Sequence, residues 1–217
     1  KTELTADHQQ RVIAFSKLVS HASDAEFAGK MGEFFDLDQL ARFMAVTVYL
    51  SSMDSILGIG QNYSLYQQPK TGKFQFLPWD HDLSFGNFPM QGGDAEKFSI
   101  RHPWQGENLF LERVFKVEAF KQQYQAKLGE FAKTIFQPER FRRQVDEIAP
   151  AIRPAVQEES AEKLAQFDKV VAGETASAGG FAAFGPAKKP LKSFVGPRTQ
   201  SIVDQLAGKS EGEIPTG

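Results

Sequence analysis

Four oxygen-bearing side chains, Asp54, Asn62, Asp80 and Asp82, fall in two loops that flank one short pair of β-prone runs. The first loop reads Asp54-Ser-Ile-Leu-Gly-Ile-Gly-Gln-Asn62 and the second Trp79-Asp-His-Asp82. Between them, Tyr63-Ser-Leu-Tyr66 and Phe74-Gln-Phe-Leu77 bracket Pro69-Lys-Thr-Gly72, a four-residue turn signal. If Gln68 faces Lys73 across that turn, facing residue numbers sum to 141, so Asn62 faces Trp79 and Asp80 lies one residue beyond. Facing residues on neighbouring strands sit roughly 5 Å apart, which lets all four groups converge. Hard oxygen ligands suit Mg²⁺, which takes one or two protein carboxylates together with substrate phosphates. An Asp ahead of such a pair can orient or deprotonate a hydroxyl. The same residues admit a plainer reading, in which the acids cap local turns and Trp79 belongs to the core.

Protein kinases use this order of parts: a catalytic-loop Asp, a metal-binding Asn, a hairpin and a metal-binding Asp. The interval from Asp54 to Asn62 is longer than in the kinase catalytic loop, and neither an HRD nor a DFG triplet occurs. Longer stretches add to the comparison. The segment Phe35-Asp-Leu-Asp-Gln-Leu-Ala-Arg-Phe-Met-Ala-Val46, the pair Met53-Asp54, Asn62-Tyr-Ser-Leu-Tyr66 and Leu77-Pro-Trp-Asp-His-Asp-Leu-Ser-Phe-Gly86 resemble the spore-coat protein H (CotH) kinase family. A looser likeness runs through Asn108-Leu-Phe-Leu-Glu-Arg113, Phe136-Gln-Pro-Glu-Arg140 and Phe194-Val-Gly-Pro-Arg198. The resemblance implies an atypical kinase fold that transfers phosphate from ATP to Ser or Thr of a protein substrate, with Mg²⁺ or Mn²⁺. By position it implies a catalytic role for Asp54 and metal and nucleotide binding at Asp80. Asn62 is implied as a further metal and nucleotide group, and Asp82 as a further metal group. Met53 stands where the family usually has Trp, a change of packing.

A kinase also needs an upper lobe, with a Gly-rich loop and a Lys that pairs with the phosphates and with a helix-borne Glu. The residues ahead of Asp54 read as helices, and Lys1, Lys17 and Lys30, their only lysines, lie in no strand-like run. The expectation is a fragment, residues 1–208 forming the lower lobe of a longer protein and 209–217 a disordered tail, inactive on its own. The fold class expected is α+β, mainly α: a helical domain like a kinase C-terminal lobe, with a small hairpin carrying the acids.

The 217 residues suffice for one domain with a sizeable core. A net charge of −2 and a pI near 6.1 argue against nucleic acid as a main partner. No stretch reaches the roughly 18 consecutive apolar residues of a membrane span. With no cysteine there are no disulfides and no thiolate metal sites. That leaves the compartment open, an exported or cell-envelope setting included. Twenty Phe against four Tyr and two Trp point to a core built on rings without polar handles.

Thr5 should cap a helix to about His21, followed by a second over Ala25 to Phe34. Asp36 should cap the strongest helix, Leu37 to Ser52, which delivers Asp54 at its C-terminal end. The stretch from Gly86 to Gln105 is irregular and lies where a kinase docks its protein substrate. Helices are expected over Asn108 to Arg113, Val117 to Phe136 and Pro138 to Ile148, then a turn at Pro150 and Pro154, then Val156 to Val170. A small-residue stretch from Ala172 to Pro190 reads as mobile, and a last helix ends near Leu206. Among other residues, His81 alone of the four His lies near the acids, and Arg101 is a candidate for a phosphate or an acidic substrate. Gly58 and Gly60 give the chain room to turn between Asp54 and Asn62. No Gly-x-Ser-x-Gly or His-Glu-x-x-His motif supports a serine hydrolase or zinc protease. The competing function is a non-catalytic envelope or surface-assembly module that keeps the fold as a binding scaffold.

Overall fold

Thr5 opens α1 (Ala6–His21) through a capping box, its hydroxyl accepting from the His8 N–H while the His8 ring accepts from its own. The computed structural model describes residues 5–176 and 189–217. Ser23 caps α2 (Asp24–Phe34) in the same manner, accepting from the Glu26 N–H. Asp36 then caps α3 (Leu37–Tyr49), its Oδ1 accepting from the Asp38 and Gln39 N–H groups at 3.0 and 3.3 Å. Asp36→Ala should cost about 1 kcal/mol, the usual loss for an N-cap carboxylate. Thermal denaturation would read this as a fall of about 3 °C in midpoint for a domain of this size.

α3 ends three residues earlier than the sequence suggests. Ser51 takes a left-handed backbone at φ 47°, which ends the ladder of helical hydrogen bonds. The chain then turns tightly through residues 50–60 before β1 (Tyr63–Gln67) and β2 (Phe74–Pro78). These two strands pair antiparallel in the expected register, Tyr63 with Pro78 and Gln67 with Phe74. The register extends one step further, the Trp79 N–H donating to Asn62 O at 3.0 Å. The fold class is as expected, mainly helical with one two-stranded sheet.

The remaining helices are α4 (Leu109–Val114), α5 (Glu118–Lys133), α6 (Pro138–Glu159), α7 (Ala161–Ala172) and α8 (Leu191–Leu206). α3 lies along α5, burying Leu40, Met44 and Val48 against a core that includes Phe120, Tyr124 and Leu128. The hairpin is clamped at its base by rings, with Phe76 stacked on Phe35 and Phe43 at centroid distances of 5.6 and 5.2 Å. A two-stranded hairpin is marginal in water, so this aromatic floor is what holds it. α8 packs against α5, α6 and a short 3₁₀ turn at Ala95–Lys97.

Three expectations need correction. α6 does not break at its prolines but runs through Pro150 and Pro154 to Glu159. Each proline removes one N–H, freeing the carbonyls of Asp146 and Pro150, and both residues are exposed so water can satisfy them. The apolar side of α6 continues past the prolines, and Arg153 clasps Asp168 of α7 with two bonds at 2.9 and 2.8 Å. Residues 209–217 are not a loose tail: Glu213 and Thr216 pair with Phe98 and Gly92 of the irregular segment. Arg101, a candidate for an external phosphate or acidic group, is instead bonded within the chain, to Glu211 at 2.7 Å and to Gln205 O at 3.1 Å. Residues 177–188 of the small-residue stretch lie outside the described residues.

Candidate active site

Two turns meet at the mouth of the hairpin. The first carries Asp54, which is nearly buried at 9 % exposure among Met53, Ser55, Ile56 and Leu57. Gly58 makes this turn possible, because a β-carbon there would stand 2.0 Å from the Met53 carbonyl oxygen. Gly60 closes it, with φ 72° and an N–H that donates to Ser55 O at 2.9 Å. The Asp54 carboxylate accepts from Gln61 Nε2 at 2.6 Å, and its backbone carbonyl accepts from Asn62 Nδ2 at 2.9 Å. Gln61 is a site residue that sequence reasoning missed, since only the folded turn brings its amide to Asp54.

Asn62 therefore braces the Asp54 turn with its amide nitrogen, and its Oδ1 lies on the other side of the amide group. Both Asn62 and Asp80 adopt left-handed backbones, at φ 57° and 51°. They flank the last hairpin pairing, one at the entry and one just past the exit. Asn and Asp tolerate this conformation better than most residues, at some cost, and such strain gathers at functional sites.

Asp80, His81 and Asp82 make the second turn. The Asp80 carboxyl is held above the usual carboxylate range, first by the negative charge of Asp82, then by desolvation, a hydrogen bond with Asp82 and the charge of Asp54. His81 acts on it in the opposite sense. The charges of Asp82 and Asp54, one from each turn, thus both act on Asp80. Among the described residues, no three His, Cys, Asp or Glu side chains form a ready metal cage. The donor set nevertheless fits Mg²⁺, which needs only one or two carboxylates from the protein. A crowded Asp pair at an open turn is a charge arrangement that a cation relieves.

The raised Asp80 has a testable sign. An acid whose folded pKa exceeds its unfolded value adds stability below the unfolded pKa and loses it as pH rises through the folded one. Asp82→Asn removes the largest cause, so the Asp80 carboxyl should titrate lower, toward the ordinary Asp range. The loss of stability with rising pH should shrink accordingly. Carboxyl ¹³C titration of the metal-free protein would show it, and an unmoved Asp80 midpoint would contradict the assignment of cause.

Trp79 is not core. It is 70 % exposed, beside Leu77 and Tyr66 on the outer hairpin face, both 43 % exposed. His81 is half-buried, and burial lowers its pKa. Arg198, within the looser likeness at 194–198, is fully buried and bonds Val48 O at 2.7 Å and Phe98 O at 2.6 Å. It ties the end of α3, and so the approach to Asp54, to the irregular segment.

Inner spore coat protein H of Bacillus subtilis (strain 168) is 28 % identical over 132 residues, which is 61 % of this chain and 35 % of that protein. The chain thus matches little more than a third of its relative's length. A family model described as CotH kinase protein matches residues 1–179, most of the sequence and all of the acidic site. With those residues matched and its acids gathered at one hairpin, the chain belongs to the CotH kinase family.

Proposed function

We propose that this chain supplies the catalytic and metal-binding acids of a CotH-type atypical protein kinase, one that moves the γ-phosphate of ATP to Ser or Thr of a protein. The observation that carries the reading is the hairpin register, which sets the turn of Asp54 and Asn62 beside the turn of Asp80 and Asp82. Asp54 is the group that orients and deprotonates the acceptor hydroxyl. Its second carboxylate oxygen is directed by the Gln61 amide, which holds the first. Asp80 and Asp82 are the carboxylates for Mg²⁺ or Mn²⁺, with Asn62 Oδ1 as a further oxygen. Bound there, a divalent cation would neutralise charge on the transferring phosphate.

The reading includes a longer protein whose remaining part covers the nucleotide, in keeping with the share of the Bacillus relative that is matched. That relative is named for the inner spore coat, and a coat or envelope setting is proposed here on that likeness alone. The exposed face of Tyr66, Leu77 and Trp79 favours a second reading, in which the hairpin serves as a contact surface of a non-catalytic scaffold.

Incubation of the full-length protein with γ-labelled ATP, Mn²⁺ or Mg²⁺ and a Ser/Thr-containing protein separates the two. Label transferred in a metal-dependent manner supports the kinase. No label, together with no metal-dependent shift in melting temperature on adding nucleotide, favours the scaffold.

A further inference from the structure

A buried polar knot lies behind the acidic turn. Ser52 and Ser84 are each 1 % exposed. The Ser84 hydroxyl donates to Ser52 Oγ at 3.1 Å, and His81 Nδ1 lies 3.0 Å from Ser52 Oγ and 3.4 Å from Ser84 Oγ. With Ser84 donating to Ser52, the Ser52 proton is free to reach the ring, and Nδ1 can accept it with the ring proton on Nε2. Ser52 is itself fixed, its N–H bonded to Thr47 O at 3.2 Å and its carbonyl accepting from Ser55 Oγ at 2.5 Å. The other side of the knot is fixed too: the Ser84 N–H donates to His81 O at 3.2 Å and the Phe85 N–H to Leu50 O at 2.7 Å.

The two turns of the site belong to separate parts of the sequence, and the hairpin joins them only at its mouth. Behind that mouth, the side chains of His81 and Ser84 both reach Ser52, and His81 is the one that comes from between the two acids. It sits between Asp80 and Asp82, and Ser52 lies two residues before Asp54. We propose that His81 is a positioning residue: accepting from Ser52 through Nδ1, it anchors the acidic turn to the end of α3 and holds Asp80 and Asp82 beside Asp54 against their mutual repulsion. The proposal rests on the reading of those acids as the kinase site for its functional consequence, and on the hydrogen-bond geometry for the anchor itself.

Two substitutions distinguish the two ring nitrogens. Asn places its Oδ1 on the same γ-carbon that bears Nδ1, whereas Gln reaches toward the position of Nε2. In the full chain, Ser52→Ala and His81→Gln should speed amide hydrogen exchange over residues 79–85 by about tenfold or more, as expected when a local anchor is lost. His81→Asn should restore near-native exchange, and α5 should be unchanged throughout. At pH 8, ¹⁵N shifts of the His81 ring should show Nδ1 without a proton. Unaltered exchange in Ser52→Ala, equal behaviour of the Asn and Gln variants, or a proton on Nδ1 would overturn the anchor. A parallel Mn²⁺ titration tests the kinase reading by itself. If wild type binds no Mn²⁺ while exchange follows the pattern above, that reading fails and the anchor stands.

Discussion

Asp80→Asn in the full-length protein is expected to lower phosphate transfer by about a thousandfold, the scale on which a preorganised electrostatic group contributes. It should also abolish metal-dependent nucleotide binding, because Asp80 is the carboxylate on which Asp82 and Asp54 both press. Asp54→Asn should lose transfer on a similar scale, about a thousandfold, as for a positioned general base. Unlike the first variant, it should still bind metal and nucleotide, since Asp54 lies in the other turn and is held by Gln61. Calorimetric titration with Mn²⁺ and a non-hydrolysable ATP analogue, alongside labelled-ATP transfer, separates binding from chemistry. Full transfer in both variants would remove the basis for a kinase site here.

Arg198→Met is expected to be the most destabilising of the single changes considered, lowering the melting midpoint by about 10 °C. Two opposing effects decide the sign. Burial alone disfavours the guanidinium, pushing its pKa down to about 10, so removing the charge recovers that cost. Against this, the backbone carbonyls of Val48, Phe98 and Glu96 lose a charged donor, although Val48 O keeps the Ser51 N–H at 3.1 Å and Phe98 O keeps Gln205 Nε2 at 3.2 Å. A hydrogen bond to a charged group contributes about 1.5–3 kcal/mol, and a methionine offers nothing in exchange. The loss therefore prevails, at about 3 kcal/mol net. Arg198→Lys should recover only part of it, because an ammonium lacks the planar fork that reaches carbonyls on two elements. A midpoint within about 2 °C of wild type would mean that the carbonyls find water or another donor.

Where local chemistry dictated structure, the sequence was a reliable guide. Thr5, Ser23 and Asp36 start helices because their side chains satisfy N–H groups within three residues, which is visible without any tertiary knowledge. The hairpin register follows from one turn and was correct to the residue. Each misjudged element depends on something distant. The prolines of α6 suggest a break, yet the helix gains more from its face against α7 and the Arg153–Asp168 clasp than two lost bonds cost at an exposed surface. The tail is polar and Gly-bearing, and its order comes from backbone pairing with residues 92–99, over a hundred positions away. At the site, the acids were legible by type and spacing. The groups that hold them, Gln61, Ser52 and Ser84, were not, because a Ser or Gln signals nothing until a partner is within reach.

The two tryptophans of this chain live in opposite surroundings. Trp104 is 4 % exposed and stacks on His102 at 4.0 Å, while Trp79 stands in solvent next to Asp80. In a Trp104→Phe background this chain would carry a single tryptophan, placed one residue from Asp80. Its emission should be long in wavelength and readily quenched by iodide, and any ion or nucleotide that settles at the hairpin mouth should shield it. The molecule thus contains its own optical gauge of site occupancy, readable in a cuvette without dye or label.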